Sequence, residues 1–273
     1  MQDSDCVEFL QWALPRLHRR WPGFRKVRAQ VCKRIDRRCQ ALGLAGPRAY
    51  RDHLEQHPAE WEPLDELCPI TISSFYRDTA VFDFLGAALL PQLARDAHQH
   101  AARDLRALSI GCASGEEPYT LRLVWHFHVA PVYPEISLHI VATDVLPEML
   151  DRARQACYPA SSLKLLPTAW RARAFEPVAG GYGLRAEYRD GIEFVQQDVR
   201  TALPDGNFSL ILCRNLVFTY FDEDMQRQIL ARLLARLAPG GTLVIGRREA
   251  LPSGTTGWRP WPGAERLGIY RRD

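Results

Sequence analysis

The part of the sequence that most constrains the fold is a short apolar run that ends in a glycine-bearing turn. Residues 105–110 have the character of a buried strand, residues 111–119 read GCASGEEPY, and residues 121–125 have helical character. A strand, a turn with glycines and a helix in this order form the nucleotide-binding element of a doubly wound α/β domain. Glycine suits that turn because the backbone must bend sharply and approach a ligand closely.

Two adjacent carboxylates follow the turn, Glu116 and Glu117. A helix start that holds a phosphate is surrounded by neutral or cationic groups, so this pair argues against a phosphate cradle. It favours a ligand that carries hydroxyl groups, an amine or a positive charge. S-adenosylmethionine has all three, in its ribose diol, its amino group and its sulfonium.

Short apolar segments alternate with helical segments over the rest of the chain. The predicted strands are 105–110, 137–142, 192–196, 209–213, 242–245 and 267–270, and the predicted helices are 117–127, 147–155 and 222–237. This alternation predicts a mainly parallel sheet with helices on both faces. Residues 239–241 are expected to form a tight helix-to-strand connection, and the glycine-rich stretch 180–191 a hairpin or loop insert.

The first part of the chain has a different pattern, helical and without a clear strand. We expect three parts: a helical, basic N-terminal domain (1–66), a linker with a leading helix at about 79–98 (67–104), and an α/β domain (105–273) with a small glycine-rich insert at about 176–191. The whole is therefore predicted as an α/β protein, a doubly wound mainly parallel sheet preceded by a small all-α domain.

The net charge of +3 hides an asymmetry, since residues 1–50 contain 11 Lys and Arg against 4 Asp and Glu. A helix over 24–42, closed by Gly43, is predicted to carry much of this charge. Its apolar stripe is Val27, Val31, Ile35, Cys39 and Leu42, and its cations are Lys26, Arg28, Lys33, Arg34, Arg37 and Arg38. Two interpretations stay open: a solvated helix face, or a docking surface for an acidic partner. Without a nucleic-acid motif, an acidic protein is the favoured partner.

The seven cysteines are scattered, odd in number and without a CxxC pair. This argues against a disulfide framework or a metal site and favours reduced thiols in a cytoplasm. Cys112 and Cys213 are expected to be packing residues. No apolar run approaches the roughly 20 residues of a membrane span, and no secretory signal is visible, so we predict a cytoplasmic protein without membrane insertion.

Polar residues follow successive predicted strands, where open α/β sheets bind ligands. Asp144 is placed to accept hydrogen bonds from ribose hydroxyls, Asp198 to meet an adenine amino group, and Arg214 with Asn215 to face the reacting end of a cofactor. Each has an alternative interpretation: Asp144 as a helix cap, Asp198 as a turn residue and Arg214 as a surface ion-pair partner.

Five segments together carry a specific resemblance: ISSFYRD at 72–78, GCASGEEPYT at 111–120, ATD at 142–144, CRNLVFTYFD at 213–222 and LAPGGTLVIG at 237–246. In order and spacing they resemble the CheR family, the chemotaxis-type protein-glutamate O-methyltransferases, over about residues 15–250. The resemblance implies a class I methyltransferase, Rossmann-like sheet and S-adenosylmethionine as donor, with S-adenosylhomocysteine as product. The implied acceptor is a glutamate carboxylate, presented by a protein such as a chemoreceptor cytoplasmic domain, with no nucleic acid involved.

The resemblance also implies residue roles. Glu117 would bind the methionyl end of the cofactor, Asp144 the ribose, and Arg77 would close over the cofactor and orient the acceptor with help from Tyr220. The full expected cofactor-binding set is Thr71, Ser73, Arg77, Gly111, Ala113, Glu117, Asp144, Asp198, Val199, Arg214 and Asn215, and the expected catalytic residues are Arg77 and Tyr220.

Three features depart from the family pattern. One extra residue precedes Tyr220, Arg247-Arg248-Glu249 replaces the usual His-Ser-Glu, and the insert that contacts the receptor in the family is short. The main hypothesis is a CheR-like methyltransferase that acts on chemoreceptor glutamates. An alternative is the same chemistry on a small molecule or a non-receptor protein, and a third is a cofactor-binding module without turnover.

Overall fold

Strands that are apolar along their whole length need cover on both faces, and helices supply it here. The computed structural model describes residues 2–272. Their strands are β1 (Asp104–Ile110), β2 (Ser137–Asp144), β3 (Cys157–Tyr158), β4 (Phe175–Val178), β5 (Gly181–Leu184), β6 (Ile192–Gln196), β7 (Phe208–Cys213), β8 (Leu237–Ile245), β9 (Trp258–Pro260) and β10 (Ile269–Arg272).

Seven strands form one sheet in the order β6-β2-β1-β7-β8-β10-β9. β6, β2, β1, β7 and β8 are parallel, whereas β10 runs antiparallel to β8 and to β9. The strand order reverses between β1 and β7, which is the point where a doubly wound sheet opens a crevice for a ligand. The prediction of a doubly wound, mainly parallel sheet is therefore confirmed.

The helices of residues 2–272 lie in both parts of the chain. They are α1 (Asp3–Ala13), α2 (Trp21–Phe24), α3 (Arg28–Ala41), α4 (Pro47–Gln56), α5 (Trp61–Glu66), α6 (Thr79–Phe84), α7 (Leu90–Gln99), α8 (Glu116–Val124), α9 (Pro147–Gln155), α10 (Thr168–Ala174), α11 (Val217–Tyr220) and α12 (Glu223–Arg236). α6 continues through one π turn into α7, so the leading helix is present as expected. None of the helices in this range has the length and apolar character needed to cross a bilayer.

The chain divides into two compact units. Residues 2–71 with residues 216–227 form a helical unit, and residues 72–215 with residues 228–272 form a sheet unit. The segment 216–227 follows β7 in the chain but belongs to the helical unit, which the sequence analysis did not anticipate. The boundaries expected at 66 and 104 stay predictions.

The helical unit contains a disulfide, between Cys6 on α1 and Cys32 on α3, with Cα atoms 5.9 Å apart. The expectation that all thiols are reduced is wrong for this pair, and the other five cysteines form no disulfide. The two residues are separated by 26 positions and come together only because α1 and α3 pack on each other. Sequence spacing carries no signal of that contact.

The basic helix begins later than predicted, at Arg28, because residues 25–27 form a turn after the short helix α2, and the backbone of Val27 is not helical. Its central stripe of Val31, Ile35 and Cys39 is buried as expected. Gly43 has φ +67° and ends the helix, with Leu44 N–H donating to Cys39 O (2.9 Å). The predicted cap is confirmed.

The strand predictions for the sheet unit hold with small shifts. β4 and β5 form the predicted hairpin, and they pair with β3 as a separate three-stranded sheet. The connection expected at 239–241 is wrong, since these residues lie inside β8, where the pairing with β7 shifts register between Phe208 and Leu210. The short edge strand β9 was not predicted, because its three residues include a proline that cannot donate to a ladder.

Candidate functional site

The candidate site is the carboxyl edge of five neighbouring parallel strands. In sheet order the strand ends are marked by Asp198 after β6, Asp144 at the end of β2, Gly111 after β1, Arg214 with Asn215 after β7, and Gly246 after β8. Strands lie about 4.8 Å apart, so this row spans about 19 Å, room for an extended nucleoside ligand. The sequence prediction that these strand ends share one edge is confirmed.

The turn after β1 is held against the end of β2. The N–H groups of Gly111 and Cys112 both donate to Thr143 O (2.8 and 2.9 Å). Gly111, Ala113 and Gly115 have positive φ angles of 71°, 47° and 90°, a left-handed backbone that costs a non-glycine residue about 1 kcal/mol. The turn is thus a fixed, strained cradle at the switch point.

Asp144 accepts hydrogen bonds from Ala113 N–H at Oδ2 (2.8 Å) and from Leu146 N–H at Oδ1 (3.0 Å). Leu146 is itself the N-cap residue of α9, and no side chain of the described residues caps that helix start. The capping interpretation is therefore wrong, and the bond to Leu146 N–H closes an Asx turn that precedes the helix. A carboxylate has about four lone-pair positions, which leaves acceptors for a ligand diol. Burial raises the pKa of Asp144 above its ordinary 3.8, although the backbone N–H donors act in the opposite direction.

The two adjacent glutamates have different environments. Glu116 is only 3% exposed, accepts from Ser114 Oγ (3.0 Å) and is hydrogen-bonded to Ser73, and burial raises its pKa. Glu117 accepts from Ser109 Oγ at Oε1 (2.8 Å) and from Arg214 at Oε2 (2.9 Å). Glu116 therefore links the 72–78 segment to the turn. Glu117 is the acid whose carboxylate keeps lone pairs for a ligand at the carboxyl edge of the sheet.

Arg214 is almost fully buried, with 2% of its side chain exposed. Its guanidinium donates to Glu117, to Asp78 Oδ2 (2.8 Å) and to Arg77 O (2.9 Å), and lies 5.0 Å from the centre of the Phe82 ring. The surface ion-pair interpretation of Arg214 is therefore wrong. Asp78 was not predicted as a site residue. Its place directly after Arg77, in the FYRD segment at 75–78, was the signal that could have identified it.

The 72–78 segment is hydrogen-bonded to α8. Tyr76 N–H donates to Thr120 Oγ1 (3.0 Å), and both Tyr76 and Asp78 have left-handed φ angles, 58° and 59°. Arg77 donates to Ile72 O (3.0 Å), which uses one of its five N–H groups. Ser73 and Arg77 thus lie in the sheet unit with Glu117, whereas Thr71 is the last residue of the helical unit's first segment.

Asp198 after β6 forms a two-pronged ion pair with Arg200 (2.6 and 2.9 Å) and accepts from Arg200 N–H (2.8 Å). This is a turn, as one of the two interpretations expected. Val199 is buried at 7% exposure. An adenine-binding role for this pair stays a prediction.

Asn215 has a left-handed backbone, φ 55°. Its N–H donates to Glu249 Oε2 (2.9 Å), and the same oxygen accepts from Gly246 N–H (2.5 Å). Glu249 was not predicted as a site residue; it is the last residue of the Arg247-Arg248-Glu249 run that replaces the family's usual His-Ser-Glu. It is the residue that joins the ends of β7 and β8.

Tyr220 lies at the end of α11 in the helical unit. Its ring meets Phe24 edge-on, with centroids 5.0 Å apart. A Cβ on Gly23 would lie 2.2 Å from Thr219 O, so α2 and α11 are in close backbone contact. The catalytic role expected for Tyr220 stays a prediction.

The donor set of the sheet unit fits S-adenosylmethionine. Glu117 and Asp144 offer free carboxylate lone pairs to an amino group and a ribose diol, and the buried cluster of Asp78, Arg214 and Glu117 carries one negative charge in excess. A positively charged sulfonium and amine complement that charge.

Comparisons with known proteins agree with this interpretation. The family model described as CheR methyltransferase, SAM binding domain, matches residues 71–264. Chemotaxis protein methyltransferase 2 of Pseudomonas aeruginosa is 31% identical over 80% of this chain and 77% of its own length. A chemotaxis protein methyltransferase of Listeria monocytogenes is 32% identical over 73% of this chain and 72% of its own.

Among solved structures, the N-methyltransferase NodS of Bradyrhizobium japonicum, in complex with S-adenosylhomocysteine, covers 59% of this chain and 61% of its own, with 18% identity and a TM-score of 0.31. The family assignment rests on the model match and the sequence relatives. The chain therefore belongs to the CheR methyltransferase family and is an S-adenosylmethionine-dependent methyltransferase.

Proposed function

We propose that this enzyme acts in a cytoplasm and transfers a methyl group to glutamate side chains of a chemoreceptor-like protein. The observation that carries the proposal is the match to chemotaxis protein methyltransferases over most of both chains. The buried carboxylate–guanidinium cluster beside the glycine turn supports the donor half of the reaction.

The acceptor chemistry needs no strong general base. S-adenosylmethionine, when bound, supplies a methyl carbon attached to a positively charged sulfur. A glutamate carboxylate has a reference pKa of about 4.3, so it is already ionised near pH 7. Its oxygen forms the new C–O bond while the C–S bond breaks, and no proton moves. The protein must place the two groups in line and exclude water, which is catalysis by proximity and orientation.

Arg77 is our proposed orienting residue for the acceptor. One N–H group is fixed on Ile72 O (3.0 Å), which restrains the side chain while other donors remain for a carboxylate. A guanidinium holds a carboxylate in fixed geometry through paired hydrogen bonds. The family resemblance supports a second contact from the Tyr220 hydroxyl.

The rest of the expected cofactor set stays part of the proposal. Glu117 would take the amino group and Asp144 the ribose, with Asp198 and Val199 at the adenine and Asn215 at the methionyl end. Arg214 would act through Glu117, to which its Nη1 donates, while its Nη2 donates to Arg77 O and to Asp78. Its buried Nε–H has no partner among the described residues.

The basic helix of the N-terminal unit is proposed to dock the acidic partner protein. Three of the cations of the basic helix are bound internally: Arg28 to Asp3, Arg34 to the carbonyls of Leu67 and Pro69, and Arg38 to Glu60. Lys26, Lys33 and Arg37 are exposed. The docking face that we propose therefore consists of the exposed cations Lys26, Lys33 and Arg37. It is smaller than the six-residue surface that the sequence predicts.

The test is incubation with a donor labelled in its methyl group and a membrane fraction that contains chemoreceptors. Label on receptor that is released by mild base, as a glutamyl methyl ester would be, supports the proposal. Label only in the small-molecule fraction would favour the alternative acceptor. Arg77→Ala is expected to lower kcat by at least tenfold, and Arg77→Lys by less, whereas Arg95→Ala on the exposed face of α7 serves as control.

A further inference from the structure

Two arginines lie at the tip of a tight turn directly after β8. Glu249 N–H donates to Gly246 O (2.8 Å), which closes the turn, and Arg247 and Arg248 are its central residues. Both are exposed. Because they follow the last residue of β8 by two and three positions, the two exposed arginines lie at the carboxyl edge of the sheet.

The turn is fixed to the candidate site. Glu249 Oε2 binds the N–H groups of both Gly246 and Asn215. A Cβ on Gly246 would lie 2.6 Å from Glu249 Oε2 and 2.9 Å from Asn215 Oδ1, so a larger residue there would have to displace these two side chains. Because Cys213 on β7 is paired with Ile245 on β8, the arginine turn lies one strand away from the end of β7.

The positive charges of Arg247 and Arg248 are not paired with acidic groups in the part of the chain that the structure describes. Within residues 2–272, neither guanidinium makes an ion pair, a side-chain hydrogen bond or a ring contact. Arg214, after the neighbouring strand β7, and Arg200, after β6 at the edge of the sheet, are by contrast both bound to carboxylates. The turn therefore presents two uncompensated positive charges on a rigid backbone.

We propose that Arg247 and Arg248 determine substrate specificity by binding a second carboxylate of the acceptor polypeptide, next to the glutamate that is methylated. This inference rests on the proposed function. Side chains three or four positions apart on a helix lie about 5–6 Å from each other, close to the strand spacing of about 4.8 Å. An acceptor at the end of β7 thus brings a neighbouring acid to the end of β8.

The chemistry of the second acid differs from that of the acceptor. The acceptor loses its charge when it is methylated, whereas the second carboxylate stays ionised and stays bound to a guanidinium fork. The arginine turn therefore selects which glutamate enters the site without taking part in methyl transfer.

The experiment uses two synthetic helical peptides, each with one acceptor glutamate and either Glu or Gln four positions away. Their affinities for the full chain saturated with S-adenosylhomocysteine are measured by fluorescence anisotropy at low salt. Wild type is expected to bind the Glu peptide roughly five- to tenfold more tightly, as two exposed charge pairs allow. Arg247→Ala with Arg248→Ala should remove that preference and leave the affinity for S-adenosylhomocysteine unchanged.

The matched control is Arg95→Ala with Arg103→Ala, two exposed arginines of which Arg103 directly precedes β1 at the opposite, amino edge of the sheet. It removes the same charge and should keep the preference. Arg247→Glu with Arg248→Glu should instead prefer a third peptide, which has Lys four positions from the acceptor glutamate. Equal affinity of wild type for both peptides, or a preference that survives in the alanine pair, overturns the inference. Binding is read without turnover, so a lack of methyl transfer counts against the proposed function alone.

Discussion

Arg214 and Glu117 form a buried ion pair with a nitrogen–oxygen distance of 2.9 Å, although they are 97 residues apart in the chain. The pair joins the end of β7 to the first turn of α8. Through Asp78 the same guanidinium also holds the 72–78 segment. Three parts of the sheet unit that the sequence presents separately are thus one electrostatic cluster.

We expect Glu117→Gln to weaken binding of S-adenosylhomocysteine by roughly 10- to 100-fold, the worth of a charged hydrogen bond. The amide keeps the shape of the side chain but removes the charge that complements the ligand amine and that fixes Arg214. Isothermal titration calorimetry measures the affinity directly.

Glu116→Gln is the matched control, since it makes the same chemical change one residue away. Glu116 is bonded to Ser114 and Ser73 inside the protein, and an amide oxygen accepts those bonds equally well. Its affinity should stay within about twofold of wild type. If both variants bound alike, the division of roles between the two glutamates would be wrong.

Asp78 is expected to stabilise the sheet unit through its bond to Arg214, at a left-handed position that aspartate tolerates better than alanine. Asp78→Ala should lower the free energy of unfolding by about 1–3 kcal/mol, because it leaves a buried guanidinium with one carboxylate fewer. Asp78→Asn should lower it less, since asparagine tolerates that φ and still accepts a hydrogen bond. Urea titration followed by circular dichroism distinguishes the two, and equal losses would contradict the argument.

The strand ends were predictable because one rule places them together. Parallel strands share a carboxyl edge, so a short apolar run followed by Asp144 or by Arg214 was enough to bring both into one site. The glycine turn gave the position of the first strand, and the hairpin at 175–184 was visible in its glycines.

The internal partners were not predictable, because they depend on contacts between distant segments. Nothing near Cys6 in the sequence indicates Cys32, and nothing near Asn215 indicates Glu249. The burial of Arg214 was also not predictable. Arginine is usually exposed, which allows the surface ion-pair interpretation, but here the side chain is buried. The start of α3 depends on the turn at residues 25–27, which the spacing of the apolar residues does not reveal.

The disulfide predicts a redox-dependent stability of the helical unit. Five free thiols should be titrated in the unfolded, unreduced chain and seven after reduction. Closing a loop across 26 residues is worth about 3.5 kcal/mol in the chain-entropy model, so reduction should lower the free energy of unfolding by about that amount. Cys6→Ala with Cys32→Ala should be insensitive to reductant. A thiol count of seven before reduction would contradict the bond.

Asp144 predicts opposite pH dependences for ligand binding and for stability. Its pKa is raised above 3.8 by burial, so between pH 3.8 and that raised value the folded state holds more protons than the unfolded one. The contribution of Asp144 to stability therefore falls as pH rises through this window. The contribution to ligand affinity rises over the same window, because the ionised carboxylate is the better acceptor for a ribose diol.

The measurement is a pair of titrations across the acidic range, one of S-adenosylhomocysteine affinity and one of the free energy of unfolding. Asp144→Asn should bind more weakly and flatten this part of both profiles, since an amide does not titrate. Glu116→Gln separates the two effects: the pKa of Glu116 is also raised by burial, so this variant should flatten part of the stability profile and leave the affinity profile as in wild type. If Glu116→Gln changed both profiles equally, the pH dependence of binding would come from the fold of the 72–78 segment and not from the ribose contact.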